Sequence, residues 1–254
     1  MFETIKKFIR KKKLYEGPYD NWNKALNKSI GYKHEVIFNR IKYSATKVQK
    51  TGKGYERDSV IFYDKKYDQN FIKILKNISK KKNFLSILDF GGSLGSLYFK
   101  YKSKINNKFV WSIIEQKRFV DEGKKNFETN ELKFFYDIKK FKKIYKLDIL
   151  ILSSSIQYIS NYQKILKELM ALNPKYILLL KTPFNYKNQN NEIYIQNVPK
   201  KIYKASYPTW VFSYKNFFKH FKENFILINK EKCKPDLFQI EYLNLYFQNK
   251  NVKL

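Results

Sequence analysis

The sequence predicts an α/β fold: a Rossmann-like, seven-stranded, mostly parallel sheet with a helical N-terminal cap. Three observations predict it. The apolar run Leu85–Phe90 carries an acid near its end and opens onto Gly91-Gly92-Ser93-Leu94-Gly95-Ser96. That is the strand, glycine turn and helix of a loop that passes beneath a ligand. Beyond Asn83, short apolar runs alternate with helical patterns, as a parallel sheet with crossover helices requires. The later runs are continuously apolar, which suits strands covered on both faces.

In chain order, residues 1–18 form a basic N-terminal helix or extension. Phe2, Ile5, Phe8 and Ile9 fall at helical spacing among Lys6, Lys7, Arg10 and Lys11-Lys12-Lys13, and Gly17-Pro18 breaks the pattern. Such a helix either touches a membrane surface or packs on its own domain. Residues 19–83 form a helical cap, polar and aromatic from Trp22 to about Phe71, interrupted at Gly31-Tyr32 and Thr51–Gly54. Residues 84–254 hold the sheet. Strand one is Leu85–Phe90, with a helix from about Leu94. Strand two is Phe109–Glu115, followed by a helix over about Lys117–Glu128. Strands three and four are Leu132–Tyr136 and Leu147–Ser153. A capping box, Ser160-Asn161-Tyr162-Gln163, starts the next helix. Strand five is Tyr176–Lys181. Thr182–Val211 shows no clear period. A helix near Tyr214–Phe221 precedes apolar runs at Phe225–Asn229 and Leu237–Phe247, which suit an antiparallel hairpin at one sheet edge.

The turn narrows the ligand. A dinucleotide fingerprint counted from Gly91 needs glycine at the third and sixth positions, where Ser93 and Ser96 stand. A phosphate loop needs Gly-Lys-Ser/Thr, which is absent here. Glu115 ends strand two at roughly 20–25 residues past the first glycine, where such folds place the acid that accepts both ribose hydroxyls. A carboxylate there also repels phosphate. Asp89-x-Gly91-x-x-x-Gly95 is similar to a relaxed first motif of the class I S-adenosylmethionine (SAM) methyltransferases, whose cofactor has no phosphate.

Composition bounds the rest. The chain has 254 residues, 43% hydrophobic, enough for one large core. Cys233 is the single cysteine, which rules out an internal disulfide and suits a reducing cytoplasm, including the inner face of the membrane. No apolar run approaches the ~20 residues of a membrane helix. The formal charge of +30 has two readings. One is a polyanion-binding surface. The other is compositional bias, since Lys, Asn, Ile, Phe and Tyr are all abundant, lysines are scattered, and arginine is scarce.

The chain resembles an uncharacterised bacterial family of class I SAM-dependent methyltransferases whose genes lie among those for surface polysaccharides such as O-antigen. The strings that carry the resemblance are Tyr55-Glu56-Arg57-Asp58-Ser59, Leu88–Ser96, Glu115-Gln116, Ser153-Ser154-Ser155-Ile156-Gln157-Tyr158, Val198-Pro199 and Ile202-Tyr203-x-Ala205-Ser206-Tyr207-Pro208-x-Trp210. The family has Asp-Arg-Thr-Pro after strand five, and this chain has Leu180-Lys181-Thr182-Pro183. The resemblance implies a SAM methyltransferase acting on a hydroxyl of a sugar, nucleotide-sugar or lipid-linked glycan, in surface polysaccharide biosynthesis.

Methyl transfer from a sulfonium asks for alignment, exclusion of water and removal of one proton. The expected cofactor set is Arg57, Asp89, Gly91, Gly92, Gly95, Glu115, Gln116, Asp137 and Ser153. Asp137 either accepts from the adenine amino group or caps a helix. Arg57 either pairs with the cofactor carboxylate or with an acidic neighbour. Glu56, Asp58, Tyr158 and His34 are the candidate bases. Trp22, Tyr32, Gln157, Tyr207 and Trp210 are the candidate acceptor contacts. Two histidines and one cysteine, unclustered, predict no catalytic metal. Two alternatives stand beside this reading. An RNA methyltransferase would account for the charge, although the Asn/Asp-Pro-Pro-Tyr/Phe string of exocyclic-amine methylation is replaced by Ser-Ser-Ser-Ile. A non-catalytic SAM-fold scaffold would use the basic N-terminus as a membrane recruiter.

Overall fold

A computed structural model of the chain describes residues 2–31, 35–80, 82–199 and 205–252. These divide into two compact units: residues 35–153 with 165–178, and residues 1–34 with 154–164 and 179–254.

The first unit is built on parallel strands. They are β4 (Phe84–Phe90), β5 (Lys108–Ile114), β6 (Leu132–Phe135), β7 (Ile149–Ser153) and the start of β8 (Tyr176–Asn185), in the order β6-β5-β4-β7-β8. β4 pairs with β5 along its whole length, Phe84↔Lys108 to Phe90↔Ile114. Leu85 to Leu88 and Val110 to Ile113 are buried, as continuous apolar runs demand of strands covered on both faces. Helix α4 (Gln69–Ser79) starts at Asp68, whose carboxylate accepts from Phe71 N at 3.0 Å. It buries Phe71, Ile74, Leu75 and Ile78, the i, i+3, i+4, i+7 stripe of one helix face. Helix α6 (Lys117–Asn126) buries Phe119, Val120 and Gly123. A Cβ at Gly123 would lie 2.4 Å from the Phe134 ring, so the absent side chain is what lets α6 lie close to β6. At the opposite end of the strands from the glycine turn, buried Asp148 accepts from Ser86 N at 3.1 Å and pairs with Lys82 at 2.8 Å and Lys175 at 3.4 Å.

This unit also holds α3 (Glu35–Thr51) and a hairpin, β2 (Tyr55–Arg57) and β3 (Val60–Phe62), inside the expected helical cap. Arg57 pairs with Val60 across the two-residue loop Asp58-Ser59, and both loop residues have positive φ, 52° and 65°. That is the conformation of a type I′ turn. Three-residue strands leave too short a period to read from sequence.

The second unit begins with α1 (Phe2–Leu14) and β1 (Tyr15–Tyr19). Gly17-Pro18 ends the helical pattern as expected, but the segment pairs as a strand with β9 (Glu192–Asn197), with an irregularity between Glu16 and Tyr19. Helix α2 (Trp22–Lys28) is capped by Asn21. Within the stretch without period, residues 182–185, 192–197 and 206–211 are strand. β8 runs on to Asn185, and β9 pairs antiparallel with β10 (Ser206–Ser213), which pairs parallel with the end of β8. Helix α8 (Tyr162–Met170), whose residues 165–170 belong to the first unit, takes its cap from Asn161, which accepts from Lys164 N at 3.3 Å, one residue later than the expected box. Helix α9 (Tyr214–Phe218) is shorter than predicted. β11 (Phe225–Leu237) and β12 (Ile240–Asn249) form the expected antiparallel hairpin, and β12 also neighbours β8. Phe221 stacks on Phe247 at 4.3 Å, and Phe212 meets Phe217 at a tilt, with ring centroids 4.2 Å apart.

The seven strands expected from sequence are β4–β8, β11 and β12. Numbered by chain position, they run 3-2-1-4-5 in the first unit and 5-7-6 in the second, with β8 the strand common to both. β1, β9 and β10 are additions.

Candidate functional site

The glycine turn leaves β4 at its C-terminal end. Gly91 (φ 77°) donates its N–H to Ile114 O at 2.9 Å, which seats the turn beside the end of β5, one residue before Glu115. Gly92 lies over Asp89: a Cβ there would come within 2.7 Å of the Asp89 carboxylate. Gly95 (φ 98°) is the N-cap of α5 (Ser96–Tyr101), in a conformation that L side chains rarely adopt. Positive φ thus favours glycine at Gly91 and Gly95, and the close approach to Asp89 favours it at Gly92.

Asp89 is 1% exposed. Its Oδ2 accepts from Trp111 Nε1 at 3.4 Å, and its Oδ1 has no partner. Burial pushes this carboxyl up to about 7; the indole bond pulls against that, and the nearby charge of Glu115 adds to it. Glu115 is half-buried at the end of β5, and one of its oxygens accepts from Gln116 N. Desolvation raises it to about 7, opposed by that bond. Ser93 (φ 55°) holds a buried hydroxyl with no partner. The turn therefore carries two orphaned buried oxygens, Asp89 Oδ1 and Ser93 Oγ. Each represents a hydrogen bond that burial makes costly to leave unmade.

Glu56 brings the β2–β3 hairpin to the same place. It is 3% exposed, accepting from Ser59 N at 2.8 Å through Oε1 and from Ser96 Oγ at 2.6 Å through Oε2. Burial raises it to about 7 against both bonds. Ser96 is the first residue of α5, so this carboxylate ties the hairpin to the helix that follows the turn. Arg57 lies against its neighbours: Nε is 3.6 Å from Asp58 Oδ2, and the guanidinium sits 5.1 Å from the Phe62 ring centroid. Asp58 stands exposed in the hairpin turn. Asp137 caps α7 (Ile138–Lys142), accepting from Lys140 N at 2.8 Å. Ser153 closes β7, half-buried, and Gln116 stands exposed at the N-terminal end of α6, with no capping bond from its side chain.

The remaining candidates belong to the second unit. A 3-10 turn, Ile156–Tyr158, follows β7. Gln157 is fully buried, donating to Lys181 O at 3.4 Å while its Oε1 has no partner. The Tyr158 hydroxyl donates to Gln196 at 3.0 Å, and its ring meets Tyr207 edge-on at 4.9 Å. Trp210 stacks on Trp22 at 5.7 Å and donates from Nε1 to Ile159 O at 3.1 Å. Trp22 and Trp210 thus form one aromatic pair among the acceptor candidates, and Tyr207 pairs with the base candidate Tyr158. Tyr32 and His34 lie outside the described residues, as does Tyr203 of the resemblance strings.

Ser93, Ser96 and Trp111 are site residues that motif reading passes over. Trp111 carried a signal, being a large polar-tipped side chain in a buried strand beside the acid. Ser96 carried none, because its partner is 40 residues upstream.

No family model matches this chain, and no curated protein matches it. Among solved structures, the chain is similar to the N-terminal domain of EvdMO1 crystallised in the presence of SAH and D-fucose, at 11% identity over 81% of this chain and 97% of that one, with a TM-score of 0.49. It is similar to an S-adenosylmethionine-dependent methyltransferase from Clostridium acetobutylicum, at 15% identity over 84% and 98%, TM-score 0.48. It is also similar to the Burkholderia thailandensis 1,6-didemethyltoxoflavin-N1-methyltransferase with bound 1,6-didemethyltoxoflavin and S-adenosylhomocysteine, at 10% identity over 94% of each chain, TM-score 0.46. The strand order described above is that of the class I methyltransferase fold expected from the sequence.

Proposed function

We propose that the chain is a SAM-dependent methyltransferase that modifies a hydroxyl of a sugar, nucleotide-sugar or lipid-linked glycan in surface polysaccharide biosynthesis. The observation that carries the cofactor is the seam between the glycine turn and Glu115. The Gly91–Ile114 bond holds an unobstructed backbone next to a carboxylate, whose charge would repel a phosphate there. An adenosyl group fits those donors and acceptors. Glu115 would accept from the ribose hydroxyls, and Gly91, Gly92 and Gly95 would line the amino-acid tail. The orphaned Asp89 and Ser93 oxygens would take its polar atoms, with Arg57, Gln116, Asp137 and Ser153 bordering them. When bound, the sulfonium supplies an already activated methyl group.

The chain's own work is positioning. Glu56 fixes α5 and so the exit of the turn. Gln157, Tyr158, Tyr207, Trp22 and Trp210 offer the stacking faces and amide that a sugar ring takes. Tyr158 is the base candidate among these residues, and Asp58 is the one on the hairpin. The sugar reading rests on the family resemblance and is supported by the paired aromatics.

Calorimetric titration with S-adenosylhomocysteine and with NAD tests the cofactor. We expect binding of the first, none of the second, and a loss of about 2–3 kcal/mol in Glu115→Ala from two lost charge-assisted hydrogen bonds. Equal affinity in the variant refutes the assignment.

A second reading has one observation of its own. Lys73, Lys76, Lys80 and Lys104 line a groove of about 560 Å³ together with Asn77 and Asn107. An RNA acceptor would use such a groove, with affinity that falls steeply as salt rises. Tight, salt-sensitive tRNA binding lost on reversing those four charges would favour it.

A further inference from the structure

We propose that α1 is a membrane-surface helix that lays an outward apolar ridge into the interface of a bilayer containing anionic lipid. The proposal does not rest on the methyltransferase reading.

The helix is mounted with its polarity inverted. Lys7, Lys11 and Leu14 form the half-buried side that faces the rest of its unit. The Lys7 carbonyl accepts from Phe238 N at 3.4 Å, Lys11 Nζ lies 5.4 Å from the Tyr194 ring centroid, and Leu14 packs on the Tyr15, Tyr194 and Tyr242 cluster. The isoleucines point the other way. Ile5 is 48% exposed and Ile9 47%, while Phe8, 42% exposed, lies on the flank and meets the Phe238 ring edge-on at 5.8 Å. At about 100° per residue Ile5 and Ile9 share one stripe, opposite Lys7, Lys11 and Leu14, with Phe8 at its edge. An amphipathic helix of a globular protein normally turns its apolar stripe inward. Here the outward stripe needs another covering.

The flanks say which. Lys6, Lys12 and Lys13 are exposed beside the ridge, and Lys12 Nζ lies 4.9 Å from the Phe8 ring centroid. The helix carries six basic residues and one acid, Glu3, which pairs with Lys6 at 3.2 Å. Apolar side chains rimmed by lysines are the composition of an interfacial helix. The aliphatic stems follow the ridge down while the ammonium groups stay with the headgroups. Anionic lipid adds attraction for each lysine near the surface. Two copies of a chain with a formal charge of +30, meeting through lysine-rimmed ridges, would repel. A nucleic acid presents phosphates but no apolar layer for two isoleucines. Among the described residues no helix is long and apolar enough to cross a membrane, so α1 lies on the surface.

The test is co-sedimentation of the full chain with phosphatidylcholine vesicles, with and without phosphatidylglycerol. We expect binding to the mixed vesicles that is at least ~10-fold weaker on phosphatidylcholine alone and weakens with salt. The double variant Ile5→Ser/Ile9→Ser should lose at least ~10-fold on mixed vesicles, because the insertion scales with buried apolar area. Both positions are exposed, so the fold should survive. The single variant Ile5→Trp, which keeps the ridge, gives a second readout: its added emission should shift to the blue on mixed vesicles. Unchanged sedimentation of the serine variant, equal binding to both vesicle types, or no blue shift would each overturn the proposal. A dimer that disappears in the serine variant would do the same by assigning the ridge to a second copy.

Discussion

Asp89, Glu115 and Glu56 share one physical condition: each carboxyl is raised to about 7 because burial disfavours its charge. Two pH dependences follow. For folding, a carboxyl raised in the native state binds more protons folded than unfolded between the two values. Its contribution is complete below the unfolded value, near 4, and is lost as pH rises through about 7. Denaturant unfolding at pH 6 and pH 8 should therefore show lower stability at pH 8, and Asp89→Asn should shrink the difference. An unchanged midpoint would contradict the burial argument. For binding the sign reverses. In the proposed site the ribose hydroxyls would donate to an anionic Glu115, so S-adenosylhomocysteine affinity should rise as pH climbs through about 7 and level off above it. Glu115→Gln should bind weakly with no such slope in calorimetry. Gly92→Ala has a steric consequence, since its Cβ would meet the Asp89 carboxylate at 2.7 Å. It should cost about 1–3 kcal/mol of stability and abolish cofactor binding. The acid, the glycines and Glu115 were legible because each is a residue type required at a spacing. Asp137 and Arg57 carried two readings each, and the structure shows both in the local partnerships, a helix cap and a neighbouring acid.

Between elements, the hairpin and the turn helix are coupled through one carboxylate. Glu56→Ala leaves Ser59 N and Ser96 Oγ without their acceptor in a buried place, and should cost about 2–3 kcal/mol. A double-mutant cycle with Ser96→Ala should show a coupling of about 1 kcal/mol or more. Strict additivity would mean that the bond carries no stability. At the far end of the strands, Asp148→Ala leaves Lys82 and Lys175 facing each other with no carboxylate between them and Ser86 N unpaired. A loss of about 3–5 kcal/mol is expected by chemical denaturation. Sequence periodicity found the strands that are apolar on both faces, β4 to β8, and found α6 and the β11–β12 hairpin. It missed β2–β3, whose turn residues Asp58 and Ser59 show no glycine signal for their positive φ. It missed β1, β9 and β10 because irregular burial, such as three buried residues flanked by half-buried ones along β9, matches neither a period of two nor a continuous run.

Over the whole molecule the dominant long-range quantity is the formal charge of +30. Self-repulsion of this size weakens the compact state and is screened as the Debye length shrinks. Raising salt from about 20 mM to about 200 mM should therefore raise the melting temperature by a few degrees. A melting temperature that falls over that range would show that attractive surface pairs outweigh the repulsion.

The amino-acid order alone determined the parallel sheet, the glycine turn with its acid, and the distant glutamate, because each follows from local period or fixed spacing along one strand–helix unit. Only the tertiary structure decided that Glu56 serves the turn helix, that Asp89 is left with an unpaired oxygen, and that α1 turns its isoleucines outward. Those are facts about which surfaces meet, set by contacts tens to hundreds of residues apart, and no periodicity records them.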